Sequence, residues 1–365
     1  MITSRPTVLI SLLPVLFILS GCDGREIGRS NSSLTKAGCQ KLVDKVVAES
    51  MTRLHPKKMV VIMADPRNGE ILAVSSQRYG SSKQTDDSVS WEFEPGSTIK
   101  PFIVSAALNE GVVNKYTEIF CENGAYSYEG KVFRDHLHYG NLTPPEILQK
   151  SSNIGSAKIG LKLTDSTFLN YIHAFGFGEL TKINLPGEKY GLLIPSEHWD
   201  KFTKPRMSFG QSFAVTPIQL TMAYCSLANT GTLFQPALES PAKSRPVRKV
   251  ITKKTAECIC GALQKSVSDE GTAPLARVTG LQVAGQSGTS QEIENGYYVD
   301  GEYVTEFAGF FPVEHPRAVC VVVVDQADLK PGQNFGGLVA APIFANIAEK
   351  TSPLLGISTG SSLIH

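Results

Sequence analysis

Apolar residues Leu42, Val43, Val46, Val47, Met51 and Leu54 recur at helical spacing between Lys36 and Leu54, and His55-Pro56 ends the helix they predict. Met59 to Ala64 is then a short apolar run, Asp65 to Gly69 is turn chemistry, and Glu70 to Ser76 resumes strand-like, which together predict a β-hairpin. A polar stretch from Gln77 to Ser90 follows, and Pro95-Gly96 opens a helix running to about Gly111. The middle of the chain reads as helices. Thr143-Pro144-Pro145-Glu146 and Thr216-Pro217-Ile218-Gln219 are capping boxes with proline at the first helical position. Strand patterns return at Leu281–Gln291, Tyr303–Phe311 and Arg317–Gln326, and a last helix is expected from Pro342 to Lys350.

Strands at both ends with a helical middle, and no alternating βαβ units, predict an α+β fold. It is an antiparallel β-sheet built from both chain ends, flanked by helices, with an inserted all-α subdomain. The chain ends meet in one sheet, so residues 36–350 form one folding unit, followed by a tail over 351–365.

The N-terminus follows different rules. Arg5 precedes an apolar stretch from Val8 to Leu19, too short to span a bilayer comfortably and suited to a signal-peptide core. It ends in Leu19-Ser20-Gly21-Cys22, which resembles a bacterial lipobox. The expectation is a signal peptide over 1–22, lipidation of Cys22 and a flexible polar tether over 23–35. That places the mature protein outside the cytoplasmic membrane, lipid-anchored and facing the periplasm or cell wall.

A formal net charge of +1 and the lack of a basic run with interleaved aromatics give no support to nucleic-acid binding. Seven cysteines in 365 residues do not make a disulfide framework. His136 and His138 lack companions at metal-ligand spacing, and Asp135 beside them is too little, so no metal and no cofactor is expected.

Three short motifs could carry chemistry. Ser97 and Lys100, three apart at a helix start, share one face and suit a hydroxyl nucleophile with an amine base. Ser151-Ser152-Asn153 lies between two predicted helices. Gly285-Gln286-Ser287-Gly288-Thr289 lies on a strand, with the Ser287 and Thr289 hydroxyls on one face. Each alone is common by chance. In this order and at these separations they resemble S-x-x-K, S-x-N and K-[ST]-G of penicillin-binding proteins and serine β-lactamases. The separations are similar to those of the transpeptidase domain of class B penicillin-binding proteins. Ala64-Asp65-Pro66 to Ala73, Glu94-Pro95-Gly96, Leu185-Pro186-Gly187-Glu188, Phe209-Gly210-Gln211, Gly271-Thr272 and Phe307-Ala308-Gly309-Phe310 extend the resemblance over about Met59 to Lys350.

The resemblance implies D,D-transpeptidase activity on peptidoglycan stem peptides, inhibition by β-lactams, and the common class B partnership with a polytopic glycan polymerase. It implies that Ser97 attacks the penultimate D-alanine carbonyl while Lys100 takes its proton. Ser151 would relay that proton and Asn153 would hold the acyl side of the substrate and Lys100. Backbone N–H groups of Ser97 and Thr289 would form the oxyanion hole. Gln286, Ser287, Gly288 and Thr289 would form the substrate-binding strand. Hydrolysis of the same acyl-enzyme, as in a D,D-carboxypeptidase or β-lactamase, and a non-catalytic penicillin-binding scaffold are the alternatives.

Two departures stand out. Gln286 replaces the family's lysine, which on hydrogen-bond strength alone weakens carboxylate binding about tenfold. The large non-catalytic module usual before the transpeptidase domain of class B proteins has no counterpart in Asp23 to Lys58.

Overall fold

The computed structural model describes residues 24–81, 83–239, 245–294, 297–330 and 332–358; Cys22, the expected signal segment and the end of the expected tail lie outside them. Helix α1 (Gly24–Leu54) buries Cys39, Val43, Val46, Val47, Met51 and Leu54, the predicted stripe. It begins at Gly24 rather than Lys36, so most of the stretch expected as a tether is helical. Leu34, within it, is 71% exposed. Strands β1 (Lys58–Asp65) and β2 (Glu70–Arg78) form the predicted hairpin. After the short α2 (Asp87–Ser90), a 3-10 turn over Gly96–Ile99 runs directly into α3 (Lys100–Asn109).

The inserted region is not all helical. It opens with β3 (Ile119–Phe120), β4 (Ala125–Tyr128), β5 (Lys131–Arg134) and β6 (Asn141–Leu142), in which β3 pairs with β6 and β4 with β5. The β4–β5 hairpin turns at Glu129-Gly130, both at positive φ, and Tyr126, Tyr128 and Phe133 pack together across it. The strands are too short for their alternation to stand out from a helical pattern. Helices α4 (Pro144–Lys150), α5 (Asn153–Leu161), α6 (Asp165–Ala174), α7 (Thr203–Met207) and α8 (Pro217–Ala228) follow, and both capping boxes form as expected, on α4 and α8.

A small pair, β7 (Thr232–Phe234) and β8 (Pro246–Lys249), and helix α9 (Lys253–Ser266) lead to β9 (Ala284–Glu294), β10 (Tyr297–Phe311), β11 (Ala318–Asp325) and α10 (Gly336–Thr351). Helix α10 starts six residues before Pro342, at a glycine pair that reads as loop in sequence. Those glycines let the helix start lie against the sheet, since a Cβ on Gly336 would come within 3.1 Å of Gly288 N.

The main sheet has the order β2-β1-β11-β10-β9, antiparallel throughout, so strands from both chain ends share one sheet as expected. Strands β1 and β11 are central and buried on both faces, which explains their unbroken apolar runs. Val60, Ile62, Val321 and Val323 face the core shared with α3 and α8, while Met59, Val61, Val322 and Val324 face the core shared with α1 and α10. Among the described residues no helix is long and apolar enough to cross a membrane. Strand β9 is left at the sheet edge, beside the turn that carries Ser97.

Candidate active site

Ser97 sits in the 3-10 turn and Lys100 is the first residue of α3. In a 3-10 turn side chains three apart eclipse one another, which draws this pair together more tightly than an α-helix start would. Gly96 before them has φ +47°, and a Cβ there would come within 3.1 Å of both Thr289 N and Thr289 O. The nucleophile turn therefore rests against the backbone of the third-motif strand. On its other side Gly96 N donates to Gly210 O at 3.2 Å, and a Cβ on Gly210 (φ +90°) would overlap the Gly96 backbone.

Lys100 is fully buried, and its Nζ lies 2.8 Å from Ser97 Oγ, 2.6 Å from Ser151 O, 3.0 Å from Ser151 Oγ and 2.7 Å from Asn153 Oδ1. Burial brings its pKa down to about 7, opposed by the Asp135 carboxylate. A neutral amine has two N–H groups and one lone pair. Ser151 O and Asn153 Oδ1 can only accept, so they take the two N–H groups and leave the lone pair to the two hydroxyls, of which Ser97 Oγ is the nearer at 2.8 Å and Ser151 Oγ the farther at 3.0 Å. That is the arrangement a general base requires.

The second motif is held by backbone strain and one carboxylate. Ser151 caps α4 in the left-handed conformation, φ +55°, which turns its carbonyl and hydroxyl onto Lys100. Ser152 is the N-cap of α5, accepting from Gly155 N at 2.9 Å. Asp135 accepts from the Ser152 hydroxyl at 2.6 Å and from Ile154 N at 3.0 Å. Asn153 Nδ2 donates to Arg134 O at 3.1 Å. Asp135, passed over in sequence as a lone acid beside two histidines, thus positions the second motif through the end of β5. The histidines stand apart from it: His136 packs edge-on against Phe335, and His138 Nδ1 lies 2.7 Å from Asn123 O.

On β9 the expected face is only partly realised. Ser287 Oγ donates to Thr272 Oγ1 at 3.4 Å, and Thr289 Oγ1 accepts from Gly336 N at 3.0 Å, which leaves the Thr289 hydroxyl proton free to donate. Gln286 lies on the opposite face, across from Ala308 in the core shared with α3 and α8. It is fully buried, and among the described residues neither of its amide atoms has a hydrogen-bond partner. Gln286 thus shares the face of Gly288, opposite the Ser287 and Thr289 hydroxyls, and at Gly288 that face lies against Pro95 and Thr98 of the nucleophile turn. Glu94, which enters from sequence only as part of the resemblance, lies just before the turn. It accepts from Ser212 N at 2.7 Å and from the Tyr298 hydroxyl at 3.1 Å, and burial raises it to about 7.

A serine and a buried lysine, a second serine and an asparagine therefore converge beside a sheet-edge strand. Residues 59–349 match the family described as the penicillin binding protein transpeptidase domain, and the chain belongs to that family. It is 34% identical over 350 residues to stage V sporulation protein D of Bacillus subtilis, covering 89% of this chain and 54% of the relative. It is 32% identical over 313 residues to the probable peptidoglycan D,D-transpeptidase PenA of Neisseria flavescens, covering 83% of this chain and 77% of that protein. The transpeptidase domain of Burkholderia pseudomallei penicillin-binding protein 3 superposes with a TM-score of 0.82 at 30% identity, covering 88% of this chain and 96% of that one. The chain thus spans about half the length of the Bacillus relative, and a larger share of the others.

Proposed function

We propose that the chain is a D,D-transpeptidase that cross-links peptidoglycan stem peptides through an acyl-enzyme on Ser97, and that β-lactams acylate the same serine. The supporting observation is the single amine of Lys100, within 3.0 Å of Ser97, Ser151 and Asn153 at once. Ser97 Oγ attacks the carbonyl of the penultimate D-alanine and Lys100 takes its proton. The oxyanion is held by the N–H groups of Ser97 and Thr289, whose backbones meet across Gly96. Ser151, in contact with Lys100, passes the proton to the leaving D-alanine as its amide bond breaks. An acceptor stem peptide amine then attacks the acyl carbonyl, its proton returns through Lys100 to Ser97 Oγ, and the ester bond to Ser97 breaks. Asn153 orients the acyl side, and Ser287 and Thr289 take the terminal carboxylate.

On the same reading, Cys22 is lipidated and anchors the protein at the membrane, facing the cell wall, and a glycan polymerase is its partner class. Lipoprotein processing adds more than one acyl chain, which stable anchoring requires. Labelled penicillin followed by peptide mapping tests the chemistry. Label should attach to Ser97 and vanish in Ser97→Ala. Label on any other residue, or none on folded protein at millimolar drug, overturns the reading.

A further inference from the structure

Behind the third-motif strand lies a polar cluster that the proposed chemistry does not use. Gln286 and Glu306 are both fully buried, and among the described residues Gln286 Oε1, Gln286 Nε2 and Glu306 Oε2 have no hydrogen-bond partner. Glu306 Oε1 takes only a 3.3 Å bond from the Ser290 hydroxyl. Strand pairing puts both side chains on one face of the sheet. Gly288 lies opposite Glu306 and Gln286 opposite Ala308, so Gln286 and Glu306 are diagonal neighbours. A Cβ on Gly288 would overlap Glu306 Oε2 and come within 3.0 Å of Pro95 O and Thr98 Cγ2. Glu306 thus lies under the third-motif strand and against the turn that carries Ser97.

The groups that face Glu306 make it an uncharged acid. They are Glu94 from the segment before the turn, Tyr224 from α8 and Ser290 from β9, and none is a cation. Burial pushes Glu306 well above the usual carboxylate range, and the nearby Glu94 adds to the effect. A neutral glutamine two positions along β9 suits a neutral acid. A lysine at 286 would not, because a buried ammonium beside a buried carboxyl ionises it.

We propose that Gln286 and Glu306 are a charge-matched pair, and that Glu306 is the positioning residue that makes glutamine rather than lysine the working residue of the third motif. With an acid at 306, a lysine at 286 pairs inward and its charge is cancelled behind the strand. With an amide at 306, the same lysine lacks a counter-ion there and its charge is available to the substrate carboxylate. The inference rests on the acyl-enzyme reading above.

Four proteins test it: wild type, Gln286→Lys, Glu306→Gln and the double variant. The second-order rate of Ser97 acylation by labelled penicillin is read for each. The gain from Gln286→Lys should be about tenfold larger in the Glu306→Gln background than in the wild-type background, the ratio of a charge-assisted to a neutral hydrogen bond. The same effect in both backgrounds, to within twofold, overturns the pairing.

Thermal unfolding from pH 6 to 9 supplies an arm that needs no activity. The folded state keeps a proton on Glu306 that the unfolded state has released, so the Glu306 contribution to stability falls as pH rises through this window, while Lys100, lowered to about 7, contributes the opposite slope above pH 7. Glu306→Gln should flatten that fall. Gln286→Lys should flatten it as well, because the pair is then ionised in both states. Glu94, Asp325 and Lys100, each shifted to about 7, titrate in the same window in all four proteins, so the readout is the change of slope from wild type. Glu94, which faces Glu306, is replaced by Gln in all four proteins of this arm. A Gln286→Lys protein with the wild-type slope overturns the pairing. Absence of Ser97 labelling in the wild type overturns the transpeptidase reading alone, and the thermal arm then decides this one.

Discussion

On the helical side of the groove Lys100 Nζ has four oxygen atoms within 3.0 Å; on the sheet side the Gln286 amide has no hydrogen-bond partner among the described residues. Both side chains are fully buried. The first arrangement makes burial useful, because desolvation lowers the amine toward neutrality while the neighbouring acceptors fix where its lone pair points. The second leaves polar atoms whose burial nothing offsets, next to an acid held neutral. One side of the groove is therefore fixed by hydrogen-bond geometry, and the other is set by charge balance behind a strand. Substitutions on the helical side should act through the reacting atoms, and those on the sheet side through electrostatics and stability.

The largest effect should come from Lys100→Met, which keeps the volume and removes the base. Acylation by labelled penicillin should fall by about 10³-fold, within the range for loss of a positioned general base. A fall of less than tenfold would take the base role away from Lys100. In the wild type the acylation rate should rise about tenfold per pH unit up to about pH 7 and then level, because Lys100 must be neutral to accept the Ser97 proton. A rate that climbs steadily to pH 10 would show an amine with an ordinary pKa.

Next in size is Gly210→Ala. Its φ of +90° and the overlap of a new Cβ with the Gly96 backbone force the nucleophile turn to shift. A displacement of about 1 Å is enough to cost roughly 10²-fold in rate. Circular dichroism should show a folded protein. Wild-type acylation in that protein would mean the turn is held from the strand side alone.

The same contrast explains what the sequence could reveal. Ser97, Lys100, Ser151 and Asn153 are close in sequence to helix starts and turns whose signals are local, and the structure brings them together. The hairpin of β1 and β2, both capping boxes and the return of the C-terminal strands to the same sheet were also legible, because alternation, capping chemistry and apolar runs are local signals. Asp135 was not, because its importance comes from bonds to residues 17 and 19 positions away. That Gln286 shares a face with Gly288 and not with Ser287 follows from strand alternation alone. Glu306 lies in a run read only as strand, and its meaning depends on the register that sets it opposite Gly288. The start of α10 was hidden because Gly336-Gly337 reads as loop until the strand packed on it is known.

A smaller effect is expected from Asp135→Asn, which keeps the shape but weakens the bonds to the Ser152 hydroxyl and Ile154 N. Loss of a charge-assisted bond predicts roughly a tenfold fall in acylation. The pH profile should move as well. The Asp135 carboxylate raises the Lys100 pKa, so its removal should shift the acid limb to lower pH. A slower enzyme with an unmoved limb would show that Asp135 matters for the fold of the α4–α5 turn and not for the charge on Lys100.

The smallest effect tests whether the two sides of the groove are tied together at Glu94, which reaches Ser212 on the helical side and Tyr298 at the start of β10. Burial raises Glu94 to about 7, above its value in an unfolded chain. Below about pH 4 both states are protonated and the group has no net effect on stability. Between about pH 4 and 7 the unfolded state releases its proton first, so stability falls as pH rises, and above about 7 the loss is complete. Glu94→Gln removes the ionisation and keeps a side chain able to meet both partners. It should be neutral at pH 4 and stabilising by about 1 kcal/mol at pH 8, since lost charge-assisted bonds offset part of the gain. Denaturant unfolding at the two pH values measures this directly. Acylation should change by less than threefold, because Glu94 touches none of the reacting groups. Destabilisation at pH 8 would mean that the ionised carboxylate, bonded to Ser212 and Tyr298, is what holds the two sides together. The charge-balance account of the sheet side would then fail at the position where the two sides meet.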